Sequence, residues 1–364
     1  MAIDPQPEAV TAEGPGADFP SAPAGVSAEG HGPWYLAFKR FTRNRVAVAF
    51  LGLFILIVVF VLAAPLWADH VAHTGPNKTH TLEKLHVGDE VREVVTPEGR
   101  PIGPQWFEAD GKFFLGADSR LGRDEMVRLM YGGRTSLLVG IGSALITTAM
   151  AILLGLLSGY FRGWVDTVIA RTLDVLWSLP VFLVGLALGV ALAVGGLKIG
   201  PLEIAGGSLW IPVIVISVFT VPYIARPIRG EVLALSEKEF VEAAIAQGAG
   251  PLRVMFSEIL PNLASTVIVF FTLTIANNML FEAGLSFLGA GVQPPNSSWG
   301  TMISIGEELL TTQPLLAIIP GVMILLTVLS LNIVGDGLRD ALDPRSKIRL
   351  EAHAGMVEPK GSSV

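Results

Sequence analysis

The sequence predicts an all-α, polytopic membrane protein with six transmembrane helices. Three observations carry this. Hydrophobic residues make up 51% of the 364 residues and charged residues 16%, against about 25% charge in an ordinary soluble domain. Six apolar segments run near or above the length of about 20 residues that a helix needs to cross a bilayer. The basic residues of the short connections also fall on one side of those segments, as they do in membrane proteins. Cysteine is absent, which excludes a disulfide framework and thiolate metal sites. The formal net charge of −7 offers no basic surface for nucleic acid, so the lipid bilayer is the environment expected and no nucleic-acid partner is.

The elements follow in order. Residues 1–33 are rich in Pro, Gly, Ala and Glu without Lys or Arg, which predicts a disordered tail that lacks the basic start of a signal peptide. Residues 34–68 hold a basic cluster (Lys39, Arg40, Arg43, Arg45) and the first span, Val46–Ala68. Residues 69–134 form an extended polar segment expected on the extracytoplasmic side. A five-helix core follows over 135–345, with spans at Ser136–Tyr160, Leu173–Gly196, Leu209–Ile224, Ser265–Leu288 and Leu315–Gly335. Leu209–Ile224 is the shortest and carries Pro212 and Pro222, which predicts a kink. Residues 346–364 are left as a C-terminal tail.

Within this layout, Gly155/Gly159 and Gly185/Gly189 make G-x-x-x-G spacings that let helices approach closely and suit packing against another subunit. Leu121, Met126, Leu129 and Met130 interleave with Arg120, Arg123, Asp124 and Arg128. That pattern fits either an amphipathic helix along the membrane surface or a solvated helix capping the polar segment.

With the N-terminus inside, the inner side collects the Lys39–Arg45 cluster, Arg162, Arg171, Arg226, Arg229, Lys238, Arg253, Arg339, Arg345, Lys347 and Arg349. The short outer connections hold only Lys198. Both termini are therefore expected in the cytoplasm.

This orientation places "SEKEFVEAAIAQGAGPLRVMFSEILPN", residues 236–262, in the cytoplasm between spans four and five. Ser236 and Glu239 have the spacing of a capping box. Phe240, Ala243, Ala244 and Gln247 share a helical face, and Gly248 supplies a left-handed end. Pro251 suits the first position of a second helix, which carries Leu252, Val254, Met255, Phe256 and Ile259 until Pro261 stops it. Three readings fit such a helix pair: a loop lying on the membrane, a DNA-binding helix-turn-helix, and a docking element for a soluble partner. The acidic residues argue against a phosphate backbone.

The stretch "EAAIAQGAGPLRVMFSEILPN" resembles the EAA loop of the permease subunits of bacterial ABC importers: Glu242-Ala243-Ala244, then Gly248, then Ile259-Leu260-Pro261. "FLGADSRLGRDEMVRLMYGGRTSLLVG" (114–140), "FEAGLSFLGAGVQPPNSSWG" (281–300) and "GDGLRDALDPR" (335–345) resemble the C-type permease subunit of dipeptide and oligopeptide ABC importers. The blocks occur in the family's order over roughly residues 35 to 350. Departures are Ala117 in the family's LGTD, a longer stretch from about His70 to Phe113, and the acidic N-terminal tail.

The resemblance implies a type I ABC importer permease (MetI-like) fold in the inner membrane. It implies half of a translocation pathway, completed by a second permease subunit in a heterodimer. It also implies two ATP-binding subunits docked on the EAA loop, an extracytoplasmic solute-binding protein, and a peptide substrate. Glu242, Ala243, Ala244, Gly248, Leu260 and Pro261 would be the coupling positions. The chain's only Gly-Lys pair, Gly111-Lys112, lacks the setting of a phosphate-binding G-x-x-x-x-G-K-[ST] loop. ATP and magnesium are thus expected on the partner subunits, with no cofactor and no catalytic residue in this chain.

Nickel, another small solute or a defensive peptide remain alternative cargoes. A self-sufficient channel or ion-coupled transporter is the alternative of another class, favoured by inverted repeats that the sequence does not display. Asn277, Asn278 and Glu282 in span five, with Asn332 and Asp336 at the end of span six, are candidates for the pathway or for helix packing. Glu282 and Asp336 are equally readable as interfacial groups satisfied by neighbours. The six His show no ligand spacing, so no metal site is predicted.

Overall fold

The computed structural model describes residues 33–342 except 88–89, 107–110 and 120. The expected tails, up to residue 32 and from 346 onward, lie outside the described residues, as do Arg120, Arg345, Lys347 and Arg349.

Helices α1 (Pro33–Arg43) and α2 (Arg45–Leu62) meet at Asn44, whose side-chain oxygen accepts from the Ala47 amide at 3.1 Å and starts α2. A break at Ala63 separates α2 from α3 (Ala64–His70), which has Pro65 in its first turn. The expected span 46–68 is therefore two helices, because Pro65 cannot donate to the ladder.

Strands β1 (Lys84–Val87) and β2 (Glu90–Glu93) form an antiparallel hairpin. It lies over a small core of Leu85, Val94, Ile102, Phe113 and Ala117. Asp118 anchors this segment. It pairs with Arg123 at 2.5 Å and accepts from the Leu121 and Arg123 amides at 2.9 and 3.1 Å. His80 bonds Glu83, which also meets Lys112 at 3.4 Å. Burial raises the Glu83 carboxyl, but the bonds and charges of His80 and Lys112 outweigh it and hold the group below its ordinary value.

Helix α4 (Glu125–Phe161) has 37 residues, about 55 Å at 1.5 Å per residue. It begins well before the expected Ser136. Asp124 starts it by accepting from the Val127 amide at 3.0 Å, and the same carboxylate takes the Phe113 amide at 2.6 Å. Arg128, Leu129 and Met130 are buried. The amphipathic pattern is thus neither an interfacial nor a solvated helix. It is the first turns of a span, covered by the folded segment that precedes it.

Helices α5 (Gly163–Ser178) and α6 (Val181–Gly195) replace the single expected span at Leu173–Gly196, and they bend by 84°. Pro180 lacks an N–H and drives Leu179 to extended backbone, φ −73° and ψ 145°. A short hairpin, β3 (Leu197–Ile199) with β4 (Leu202–Ile204), leads to α7 (Trp210–Leu235). Helix α7 runs past the expected end at Ile224 and continues through Pro222 and Pro227. After it come α8 (Glu239–Ala246), α9 (Pro251–Arg253), a π segment (Val254–Ile259) and α10 (Leu260–Phe287). Helices α11 (Trp299–Glu307) and α12 (Leu315–Leu342) complete the bundle. Among the described residues, five helices are long and apolar enough to cross a membrane, or six if the bent pair is one span.

Helices α4 and α7 run parallel. Thr147 Oγ1 lies 2.9 Å from Thr220 Oγ1, while Gly155 and Gly159 face Ile228 and Val232. A Cβ at either glycine would lie within 2.7 Å of those side chains. Gly185 faces Phe281 and Gly189 faces Ala290. Both G-x-x-x-G pairs are therefore spent inside this chain, not on another subunit. Lipid supplies no hydrophobic drive between helices, so close contact at small residues is what holds them.

Helix α10 runs antiparallel to α4, and α12 antiparallel to α2, with Gly337 against Ala47. The N-terminal helix, the end of α12 and residues 236–262 consequently share one end of the bundle. The segment between α3 and α4 occupies the other.

Candidate functional site

Residues 239–262 build a mounted corner. Helix α8 ends in a double backbone closure: the Gly248 N–H donates to Ile245 O at 2.9 Å and the Ala249 N–H to Ala244 O at 3.0 Å. This Schellman closure needs a left-handed residue, and Gly248 has φ +85°. Gly250 and Pro251 then start the second helix, with the Val254 N–H on Gly250 O at 3.1 Å. Val241, Val254, Met255 and Ile259 are buried against Leu156, Ile228 and other residues of α4 and α7. The corner is packed onto the bundle and does not hang from it.

Two sequence expectations fail here. Ser236 does not cap α8. It closes α7, donates to Leu233 O at 2.9 Å, and accepts from Arg162 Nη2 at 3.1 Å. Lys238 precedes α8 without a side-chain cap, whereas a capping box does form at α11, between Ser298 and Thr301. Nor does Pro261 stop the second helix, which runs without a break from Pro251 to Phe287. The wide π turn, in which the Leu260 N–H reaches Met255 O, shifts the bonding pattern just where Pro261 has no donor to offer.

The outward face of the corner combines charge, small residues and exposed apolar groups. Glu239, Glu242, Ala243 and Gly248 are exposed, with Ala244 and Leu260 half-buried and Pro261 exposed. Phe240, Ile245, Leu252 and Phe256 are also exposed, Leu252 at 69%. A cleft of about 260 Å³ lies between α8 and the π segment, lined by Phe240, Ala243, Ala244, Gln247, Arg253 and Glu258.

Behind it stands a polar clamp that the sequence reading missed. Arg229 holds Asp166 through Nε at 2.5 Å and Nη2 at 2.6 Å, and Ser158 donates to the same carboxylate at 2.5 Å. Arg162 adds Glu237 at 2.9 Å. The clamp joins the ends of α4 and α7 to the start of α5. Its members lie far apart in sequence, so no local pattern could have shown it.

Residues 151–348 match the family described as binding-protein-dependent transport system inner membrane component. The chain belongs to that family. Residues 32–81 of the permease also match the N-terminal TM domain of oligopeptide transport permease C. It is 36% identical over 315 residues to the glutathione transport system permease protein GsiD of Pectobacterium atrosepticum, covering 86% of this chain and 92% of the relative. A putative peptide permease protein of Brucella ovis is 36% identical, over 87% of this chain and 93% of the relative. The dipeptide transport system permease protein DppC of Alkalihalophilus pseudofirmus is 34% identical, over 86% and 91%. An inward-facing structure of the MetNI methionine ABC transporter aligns with a TM-score of 0.48 at 18% identity, over 60% of this chain and 97% of that one.

The permease is thus an all-α, multi-pass inner-membrane subunit of an ABC importer. Its candidate pathway residues do not form one site. Glu282 is fully buried and accepts from Ser136 at 3.0 Å and Ser286 at 2.6 Å. Its neighbours satisfy it, and it does not snorkel. Asn278 is buried and donates to Ser143 at 3.0 Å. Asn277 and Asp336 are exposed and Asn332 is half-buried.

Proposed function

We propose that this permease forms one half of the pathway of an ATP-driven importer of short peptides and receives its drive from separate ATPase subunits through the corner at 239–262. The observation that carries this is the mounting of that corner. Exposed Glu242, Ala243, Leu252 and Phe256 sit on helices whose inner faces are buried against α4 and α7. A push on such an element is transmitted to the spans as rigid-body motion and not absorbed by a loop. Two ATP-binding subunits would hold ATP and magnesium, a second permease would complete the heterodimer, and an extracytoplasmic binding protein would deliver cargo.

The end of the bundle bearing the corner, and with it both termini, is assigned to the cytoplasm. The positive residues of the short connections support this side. Relatives named for glutathione, dipeptides and peptides favour peptide cargo over nickel.

The test is purification in mild detergent of the chain expressed with its genomic neighbours, with mass spectrometry of what co-elutes. A second six-span permease and ATPases with phosphate-binding loops are expected, with peptide uptake that requires ATP. A chain that emerges alone and moves solute into liposomes without ATP overturns the reading.

A further inference from the structure

At the corner end of the bundle, α7, α10 and α12 border a half-open cavity of about 530 Å³. Its size falls in the range of sites for small molecules. Glu231 enters it from α7 and Arg339 from α12, while Asn262, Ser265, Thr266 and Phe270 of α10 line it between them. Among the described residues neither charge has an ion-pair partner, although seven other Asp or Glu residues are paired with Arg or Lys. Arg339 gains something from the end of the α12 dipole, but Glu231 has no comparable support. Two opposite charges, both exposed, thus stand on separate helices at the rim of one half-open cavity without pairing with each other.

We propose that this cavity is a cargo station that takes a zwitterionic short peptide, its ammonium on Glu231 and its carboxylate on Arg339. This rests on the peptide-importer reading. An Arg guanidinium suits a carboxylate through paired N–H donors, and a carboxylate accepts from an ammonium in the same way. Asn262, Ser265 and Thr266 offer donors and acceptors to a peptide bond, and Phe270 offers apolar surface to a side chain. The permease would then contribute to cargo selection itself, by the charges common to all free peptides and without reading their side chains.

The chain contains no cysteine, so Ser265→Cys introduces its single thiol. The experiment measures the labelling rate of that thiol by a small water-soluble reagent, read from the mass of this chain. It is done in the assembled transporter with ATP and binding protein present. A free dipeptide at about ten times its dissociation constant is expected to slow labelling about tenfold, in proportion to the occupied fraction of the site. The N-acetyl dipeptide amide should not protect, and Glu231→Gln or Arg339→Gln should weaken protection while the subunits still co-purify. Equal rates with and without dipeptide overturn the station, as does full protection in both variants. A thiol that never reacts places the partner permease in the cavity and also overturns it. Should the unmodified transporter take up no dipeptide at all, the peptide reading itself falls, whichever way the labelling goes.

Discussion

Ser136 on α4 donates a hydrogen bond to Glu282 on α10 at 3.0 Å, across 146 residues of sequence and in full burial. The same Ser136 oxygen accepts from the Trp299 amide at 3.1 Å, and the Trp299 indole donates to Leu129 O at 2.9 Å. One serine therefore ties α4, α10 and α11 together. The carboxyl group at the centre accepts from two hydroxyls that are themselves buried.

Removing that acceptor leaves buried donors unmatched, at about 1–3 kcal/mol for each. Glu282→Ala should lower the thermal unfolding temperature of the purified permease and its yield in membranes. Glu282→Gln, which keeps one oxygen acceptor, should lower them less. Uptake per folded molecule should stay near normal for Glu282→Gln. An uptake defect in Glu282→Gln at undiminished stability would move Glu282 from helix packing to the pathway.

Gly248 tests the corner. A Cβ there meets nothing within 4 Å, so the cost of replacing it is backbone strain at φ +85°, about 1–2 kcal/mol for an ordinary residue. Asn, which tolerates this conformation, should keep most uptake. Gly248→Val should insert normally and lose coupled uptake and stimulated ATP hydrolysis. Normal uptake with Val would show that the corner does not transmit the drive.

Gly155 and Gly159 meet α7 directly, whereas a Cβ at Gly142 reaches Val213 only at 3.8 Å. Gly142→Ala should leave the permease unaltered. Gly155→Leu and Gly159→Leu should each destabilise it by about 1–3 kcal/mol, the usual penalty for overpacking. Thermal unfolding in detergent measures this even without partner subunits, because both contacts lie within one chain. If the two leucine variants unfold normally alone yet fail to assemble, the glycines face the second permease after all.

Asp118 carries the folded segment before α4. Its carboxylate is fully buried and holds Arg123 with two backbone amides. Asp118→Asn leaves Arg123 without its counter-charge, and breaking a buried pair costs about 3–5 kcal/mol. Brief proteolysis should then cut between residues 71 and 124 while the spans stay intact. Unchanged protease resistance would mean that the apolar core around Phe113 suffices alone.

Much of this architecture is legible along the chain. Apolar length sets the number of spans, because the bilayer demands it of every segment. The Gly248–Pro251 corner is equally local: a left-handed glycine and a proline act within one turn. The bend at Pro180 was also present in the sequence, but the apolar run across it hid the signal. Pro261 misled in the opposite sense, because a π turn absorbs the lost donor.

Other features came from packing alone. Hydropathy is blind to which face of one helix meets which face of another. The burial of Glu282 beside Ser136, the clamp of Asp166 and Arg229, and the placing of Glu231 and Arg339 on one cavity all bring together residues distant in sequence. The apolar lengths and turn chemistry of the sequence by itself determined a six-segment membrane chain with a sharply cornered helix pair. Only the tertiary structure decided which polar groups are sealed between helices and which face open space, because that depends on the rotation of each helix against its neighbours.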